Sequence, residues 1–180
     1  MRIIAGERKG ARILAPRGME TRPTSDRVRE AAFNLIGPVD EATVIDLFAG
    51  SGAMGLEALS RGAESCVFVE SDVEAARTIE RNLDKLRLTG ATVLRLDVRT
   101  ALAAETAAGR RYDLVLVDPP YGMFPQFRSS LSAHVPSLVA PDGLVVVETA
   151  AQEQPELPLA LRTSRRYGST RLTLFFHESR

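Results

Sequence analysis

From residue 43 onward, short apolar runs alternate with longer segments whose apolar positions recur at helical spacing. The runs at 43–48, 65–70, 92–96, 112–118 and 143–148 predict strands; the segments at 53–61, 73–88, 98–108 and 127–138 predict helices. Strands alternating with helices of this length imply βαβ units and a parallel sheet covered on both faces, with right-handed crossovers. The last part of the chain breaks the pattern. Residues 161–167 and 169–177 flank Gly168 with no helix between them, which predicts an antiparallel hairpin. The first 38 residues stand apart from the alternation. Ile3-Ile4 and Ile13-Leu14 are short β-like runs around Gly6 and Gly10 and predict a small hairpin or extension. A helix is expected from Asp26 to Ile36, capped by Thr24 or Ser25 and ended by Gly37-Pro38. We therefore expect a basic N-terminal extension over residues 1–38 and a catalytic domain over 39–180. There is no internal repeat or low-complexity linker, and Glu153-Gln154-Pro155 is read as a surface loop.

Length and composition narrow the class. A chain of 180 residues is long enough for one domain with an appendage, burying roughly 70% of its unfolded surface. No apolar stretch approaches the ~20 residues of a membrane span, and the N-terminus lacks the apolar segment of a signal peptide. The single Cys66 excludes an internal disulfide and fits a reducing, cytoplasmic setting; it begins an apolar run and is expected to be a buried small hydrophobe. His134 and His177 have no metal-ligand spacing, so no metal is expected.

Charge adds a second theme. Formal net charge is zero, but residues 1–29 carry eight basic side chains (Arg2, Arg8, Lys9, Arg12, Arg17, Arg22, Arg27, Arg29) against three acids (Glu7, Glu20, Asp26). The segment is +5 and the remainder −5. Such a split fits a basic arm that meets a polyanion, and it fits a solvated surface equally well. Lysine occurs only at Lys9 and Lys85, and arginine's planar fork matches phosphate, although a genome bias explains the same preference. Arg162, Arg165, Arg166 and Arg171 form a second cluster in the predicted hairpin, where protection of a strand edge is at least as good a reading.

Two groups of residues carry chemistry. Asp118-Pro119-Pro120-Tyr121 ends the run Leu114-Val115-Leu116-Val117. It sets a carboxylate, a rigid backbone and an aromatic ring at the C-terminal end of a buried strand, where open α/β sheets bind ligands. A fixed carbonyl beside an aromatic face suits a flat ring bearing an amine. The plainer reading is a strand end, a turn and a core aromatic. The second group begins at Asp46 and continues through Phe48, Ala49, Gly50, Ser51, Gly52 and Gly55. Its glycines satisfy G-x-G-x-x-G between a strand and a helix, and Glu70, followed by Ser71, closes the next strand. Glycines admit a nucleotide close to the backbone, and an acid some twenty residues on suits ribose hydroxyls. Taken alone this also fits a nicotinamide dinucleotide. Two features favour S-adenosylmethionine: Asp46, placed for the cofactor's amino acid moiety, and Asp97 with Val98 at the third strand end, placed for an adenine amine. Asp97 is also a natural helix N-cap.

Asp46, Gly50, Gly52, Glu70, Asp97 and the Asp118–Tyr121 tetrapeptide lie in order across four strand ends. That order resembles class I S-adenosylmethionine-dependent methyltransferases acting on amino groups, a Rossmann-like fold with a mostly parallel seven-stranded sheet and a C-terminal antiparallel hairpin. Arg2-Ile3-Ile4-Ala5-Gly6, Lys9-Gly10, Arg22 through Glu30 and Phe33-Asn34 narrow the resemblance to the bacterial 16S rRNA guanine-N2 methyltransferase family, over essentially the whole chain. The resemblance implies a cytoplasmic monomer acting on small-subunit 16S rRNA. Asp118 and Pro119 would hold the amine, Pro120 would stiffen the turn and Tyr121 would stack on the base. Arg8, Lys9, Arg12, Arg22, Arg27 and Arg29 would contact RNA phosphates. The tetrapeptide alone says only that the substrate is a planar amine. DNA adenine N6, a protein glutamine amide and a non-catalytic RNA-binding module are the competing readings.

Overall fold

The computed structural model describes residues 1–16 and 25–178. Arg17, Arg22 and Thr24 lie outside them. The elements in chain order are α1 (Asp26–Ile36), β1 (Thr43–Asp46), α2 (Ala53–Ser60), β2 (Ser65–Val69), α3 (Val73–Leu86), β3 (Ala91–Leu94), α4 (Val98–Ala107), β4 (Tyr112–Val117), α5 (Phe124–Leu138), β5 (Val139–Ala150), β6 (Ala160–Tyr167) and β7 (Thr170–Phe176). The strands form one sheet in the order β3-β2-β1-β4-β5-β7-β6. The first five run parallel, and β7 pairs antiparallel with both β5 and β6. This is the α/β architecture expected from the alternation, hairpin included.

The central strands are apolar on both sides because both faces are covered. Val44, Leu114, Leu116 and Val146 point into one core with α1, α2 and α3. Ile45, Val115, Val117, Val145 and Val147 point into the other, under α4 and α5. The N-terminal segment joins the first of these cores through Ile3, Ile13, Val28, Ala32, Phe33 and Ile36. Its two β-like runs meet as a single antiparallel bridge, Arg2 with Arg12, rather than as a hairpin ladder. Ser25 caps α1 by accepting from the Val28 N–H at 3.2 Å, and Gly37 ends the helix with its N–H on the Phe33 carbonyl.

Two boundaries depart from expectation for identifiable reasons. Helix α5 begins at Phe124, three residues early, because Pro125 falls in the first turn, where a missing N–H costs nothing. Strand β5 begins at Val139 rather than 143 and passes through Pro141-Asp142, with Asp142 at φ 62° and a register shift against β4 between Tyr112 and Leu114. A proline followed by a positive-φ aspartate reads as a turn in sequence, which hid the strand's first half.

Candidate active site

The sheet order reverses between β1 and β4, and it is outside the C-terminal strand ends at such a reversal that open α/β sheets bind ligands. Asp46 ends β1 and pairs in register with Leu116 of β4; Asp118 lies just past the end of the same neighbour. The site is thus assembled by topology from residues 72 positions apart in sequence. Glu70 follows β2 and Asp97 follows β3, so four acids border successive strand ends.

Asp46 is buried and accepts from the Gly55 N–H at 3.1 Å. Its carboxyl is pushed up to about 7, first by burial and then by the nearby charges of Asp118 and Glu70, while backbone donors Gly55 and Phe48 oppose the rise. The loop above it turns through Gly50 at φ 55° and Gly52 at φ 82°, a region an L side chain rarely adopts. Glu70 clamps this loop: one oxygen accepts from Gly50 N–H and the other from Asp72 N–H, each at 2.8 Å. Gly55 is needed for space. A Cβ there would lie 2.3 Å from the Phe68 ring, so α2 sits close on β2.

At the third strand end, Asp97 is the N-cap of α4, accepting from Arg99 N–H at 2.9 Å. Val98 is buried in the core behind it. The Arg99 guanidinium lies 4.4 Å from the centre of the Phe127 ring, which meets Phe48 edge to face at 4.9 Å. Ala49 is buried, with its N–H on the Val69 carbonyl; Ser71 is exposed.

The tetrapeptide takes a tight turn, with Met123 N–H bonded to the Pro120 carbonyl at 2.9 Å and Gly122 at φ 72°. Pro119 is buried and Pro120 exposed. Tyr121 is 77% exposed, so it does not plug the core. Its hydroxyl accepts from Gln152 Nε2 at 3.2 Å. Gln152, just past β5, went unnoticed in the sequence because a lone glutamine after a strand carries no signal.

The basic arm divides. Lys9 and Arg27, with Arg2, line a hollow of about 500 Å³ between the N-terminal turn and α1; Asp26 and Glu30 border it. Arg12 is exposed. Arg8 is half-buried, ion-paired to Glu7 and donating to the Arg87 carbonyl. Arg22 lies outside the described residues. Arg29 must be removed from the phosphate contacts. It is fully buried, bonded to Asp26 and the Arg2 carbonyl and paired with Glu57 at 3.5 Å. Its charge is consumed inside the protein because Arg29 falls on the buried face of α1, one turn after the Asp26 with which it pairs. In the C-terminal hairpin, Arg171 is likewise structural, donating twice to the Ala151 carbonyl, while Arg162, Arg165 and Arg166 are exposed on the edge strand β6.

Residues 1–176 match a family described as "Conserved hypothetical protein 95". The chain belongs to this family. It is 39% identical to "Putative rRNA methyltransferase YlbH" of Bacillus subtilis over 97% of this chain and 98% of that protein. It is 35% identical to "Ribosomal RNA small subunit methyltransferase D" of Escherichia coli K12, over 91% of this chain and 78% of that one. A solved structure, "Putative methyltransferase yhhF from Escherichia coli", superposes with a TM-score of 0.84 at 32% identity, covering 100% and 99% of the two chains. The same fold extends to SMU.776, a methyltransferase structure complexed with SAH, at TM-score 0.68, 15% identity and 83% and 48% coverage. The chain is a methyltransferase with the class I Rossmann-like fold, for which the sequence led us to expect S-adenosylmethionine as donor.

The residues present fit that cofactor. A carboxyl driven up toward neutrality by burial and by two like charges is relieved by a cation, which an α-ammonium would supply at Asp46. A Cβ built on Gly50 would meet nothing within 4 Å, so the loop leaves room over its backbone. Among the described residues no group of acids, histidines or cysteines could hold a metal ion, and no helix is long and apolar enough to cross a membrane.

Proposed function

We propose that this enzyme methylates the exocyclic N2 amine of a guanine in small-subunit 16S rRNA. The observation that carries the reading is the exposed Tyr121 beside Asp118 at the β1–β4 reversal, next to a buried acid suited to an ammonium. The names of the full-length relatives support rRNA as the substrate.

Asp46 would hold the cofactor's ammonium, with the Gly50–Gly52 backbone, Phe48, Ala49 and Ser71 around it. Glu70 would take ribose hydroxyls with lone pairs not used by Gly50 and Asp72. Asp97, in addition to its capping role, would accept from the adenine amine above Val98. When bound, S-adenosylmethionine supplies an electrophilic methyl group on a sulfonium.

The chain's own task is to make an aromatic amine nucleophilic. The nitrogen lone pair is delocalised into the base and must leave the ring plane to react. Acceptors aimed at both amine hydrogens favour that geometry. The Asp118 carboxylate provides one. The Pro120 carbonyl is committed to the turn, so the backbone acceptor we assign is that of Pro119, held in place by consecutive prolines. Positive charge grows on nitrogen during transfer, so fixed acceptors stabilise the transition state more than the ground state. The proton departs afterwards to solvent, and no strong base is required. Tyr121 stacks on the base, an interaction worth roughly 1–3 kcal/mol, with Gln152 fixing its hydroxyl. A paired target must first be extruded from its helix.

In this reading residues 1–38 form the RNA-contacting extension and 39–180 the catalytic domain. Lys9, Arg12 and Arg27, with Arg8 and Arg22, neutralise phosphates. The enzyme acts as a cytoplasmic monomer on an assembling or assembled subunit. The test is Asp118→Ala. Methyl transfer should fall by about 10²–10³, by analogy with loss of an oxyanion donor, with S-adenosylhomocysteine affinity preserved by calorimetry. Near-normal turnover would remove Asp118 from the mechanism.

A further inference from the structure

Asn82 on α3 has no part in the chemistry above, yet it is completely buried and its side-chain amide bonds to backbone of two other segments. Its Oδ1 accepts from the Leu14 N–H at 2.8 Å. Its Nδ2 donates to the Leu14 carbonyl and to the Ser51 carbonyl, both at 3.1 Å. Leu14 belongs to the N-terminal arm; Ser51 lies between Gly50 and Gly52 of the cofactor loop. One amide therefore stitches the arm to that loop.

The surroundings favour a coupled pair rather than two separate anchors. Along α3, Ile79 supports the loop from one turn earlier: a Cβ on Gly52 would lie 3.2 Å from its Cγ1. One turn later, Lys85 Nζ donates to the Arg12 carbonyl at 3.0 Å. Helix α2, which begins at that same loop, holds the start of the arm. Its Glu57 accepts from Ile4 and Ala5 N–H at 2.8 and 3.0 Å, and its Ser60 hydroxyl donates to the Ala5 carbonyl at 2.7 Å. The arm lies across the two helices that flank the loop, and Asn82 is where they share a side chain. If the arm lifts at Leu14, a buried amide loses its donor partner and one of its two acceptor partners together. The penalty for such unmet buried groups falls on the remaining bond to Ser51. Order in the arm and order in the loop then rise and fall together.

We propose that Asn82 is a positioning residue coupling RNA engagement by the arm to cofactor binding at the Gly50–Gly52 loop, so that each ligand raises the affinity for the other. This rests on the reading that the arm contacts RNA. Coupling between sites is reciprocal and typically amounts to about 5–150-fold.

The experiment measures affinity for unmethylated small ribosomal subunits with and without saturating S-adenosylhomocysteine, and the reverse. It uses the full-length wild type, Asn82→Ala, Leu14→Pro, and a Lys9, Arg12, Arg27 triple alanine variant. Leu14→Pro deletes one backbone donor at an exposed residue and leaves the bond between Asn82 and Ser51 in place, which keeps the test open should Asn82→Ala not fold. The wild type should show at least about 5-fold mutual enhancement. In both single variants the enhancement should shrink toward 1, whatever happens to thermal stability. Wild-type affinities that ignore each other would overturn the coupling, as would variants that keep it. If the triple variant binds subunits as the wild type does, the arm reading itself fails and the coupling falls with it.

Discussion

Asp46 shows how a single side chain is tuned by where the fold puts it. In the unfolded chain it is an ordinary carboxyl near 3.8; in the native site burial, Asp118 and Glu70 raise it to about 7. The native protein therefore keeps a proton that the unfolded chain releases between these values. By linkage this residue's contribution to stability is complete below about pH 4, is lost as pH rises toward 7, and is flat beyond. Cofactor binding has the opposite slope, because an ammonium requires the ionised carboxylate. S-adenosylhomocysteine affinity should fall as pH drops below about 7, approaching tenfold per unit where proton uptake dominates, and Asp46→Asn should flatten that profile in calorimetry. An unchanged pH dependence in Asp46→Asn would assign the titration to another group. Cys66, next to this cluster, is buried and its thiol is pushed up by burial and by Asp46, in keeping with a packing role.

At the scale of elements, strand ends were legible in the sequence because each carries its own local signal: an apolar run, then an acid, then a turn or cap. Glycines at 50, 52 and 55 marked the loop for the same reason. Partners far apart in sequence were not legible. Arg29 sits in a run of arginines that looks like a phosphate comb, and nothing local reveals that Glu57, 28 residues on, awaits it. Asn82 looks like one more polar residue on an amphipathic helix. The exposed and buried arginines should separate by experiment. Replacing Lys9, Arg12 and Arg27 with alanine should reduce the slope of log affinity against log salt by about 2–3, given roughly 0.7–0.9 per phosphate contact, with little change in Tm. Arg29→Ala should instead unfold at lower temperature, because it empties a buried site and strips one cation from Glu57, which keeps only Arg61 and the Ile4 and Ala5 N–H groups. A salt slope unchanged in the triple variant would show that these side chains do not touch phosphate.

For the whole molecule, the decisive fact is the reversal of strand order between β1 and β4. It brings Asp46 and the Asp118–Tyr121 turn, to which we assign the ammonium and the amine, to neighbouring strand ends, with both faces of the sheet packed so that neither can drift. The extension shares a core with α1 to α3 and so presents its cations from a fixed base. Physics takes this layout as far as a methyl donor beside a planar amine. In our reading rRNA comes from the names of the relatives and guanine from the resemblance in sequence, since the tetrapeptide would hold adenine or a glutamine amide by the same two bonds. The most direct measurement is transfer of a radiolabelled methyl group to unmethylated small subunits, free 16S rRNA and DNA in parallel, followed by nucleoside analysis. Label recovered as N2-methylguanosine from rRNA is the predicted result; label recovered as N6-methyladenine from DNA, with none in rRNA, would contradict it.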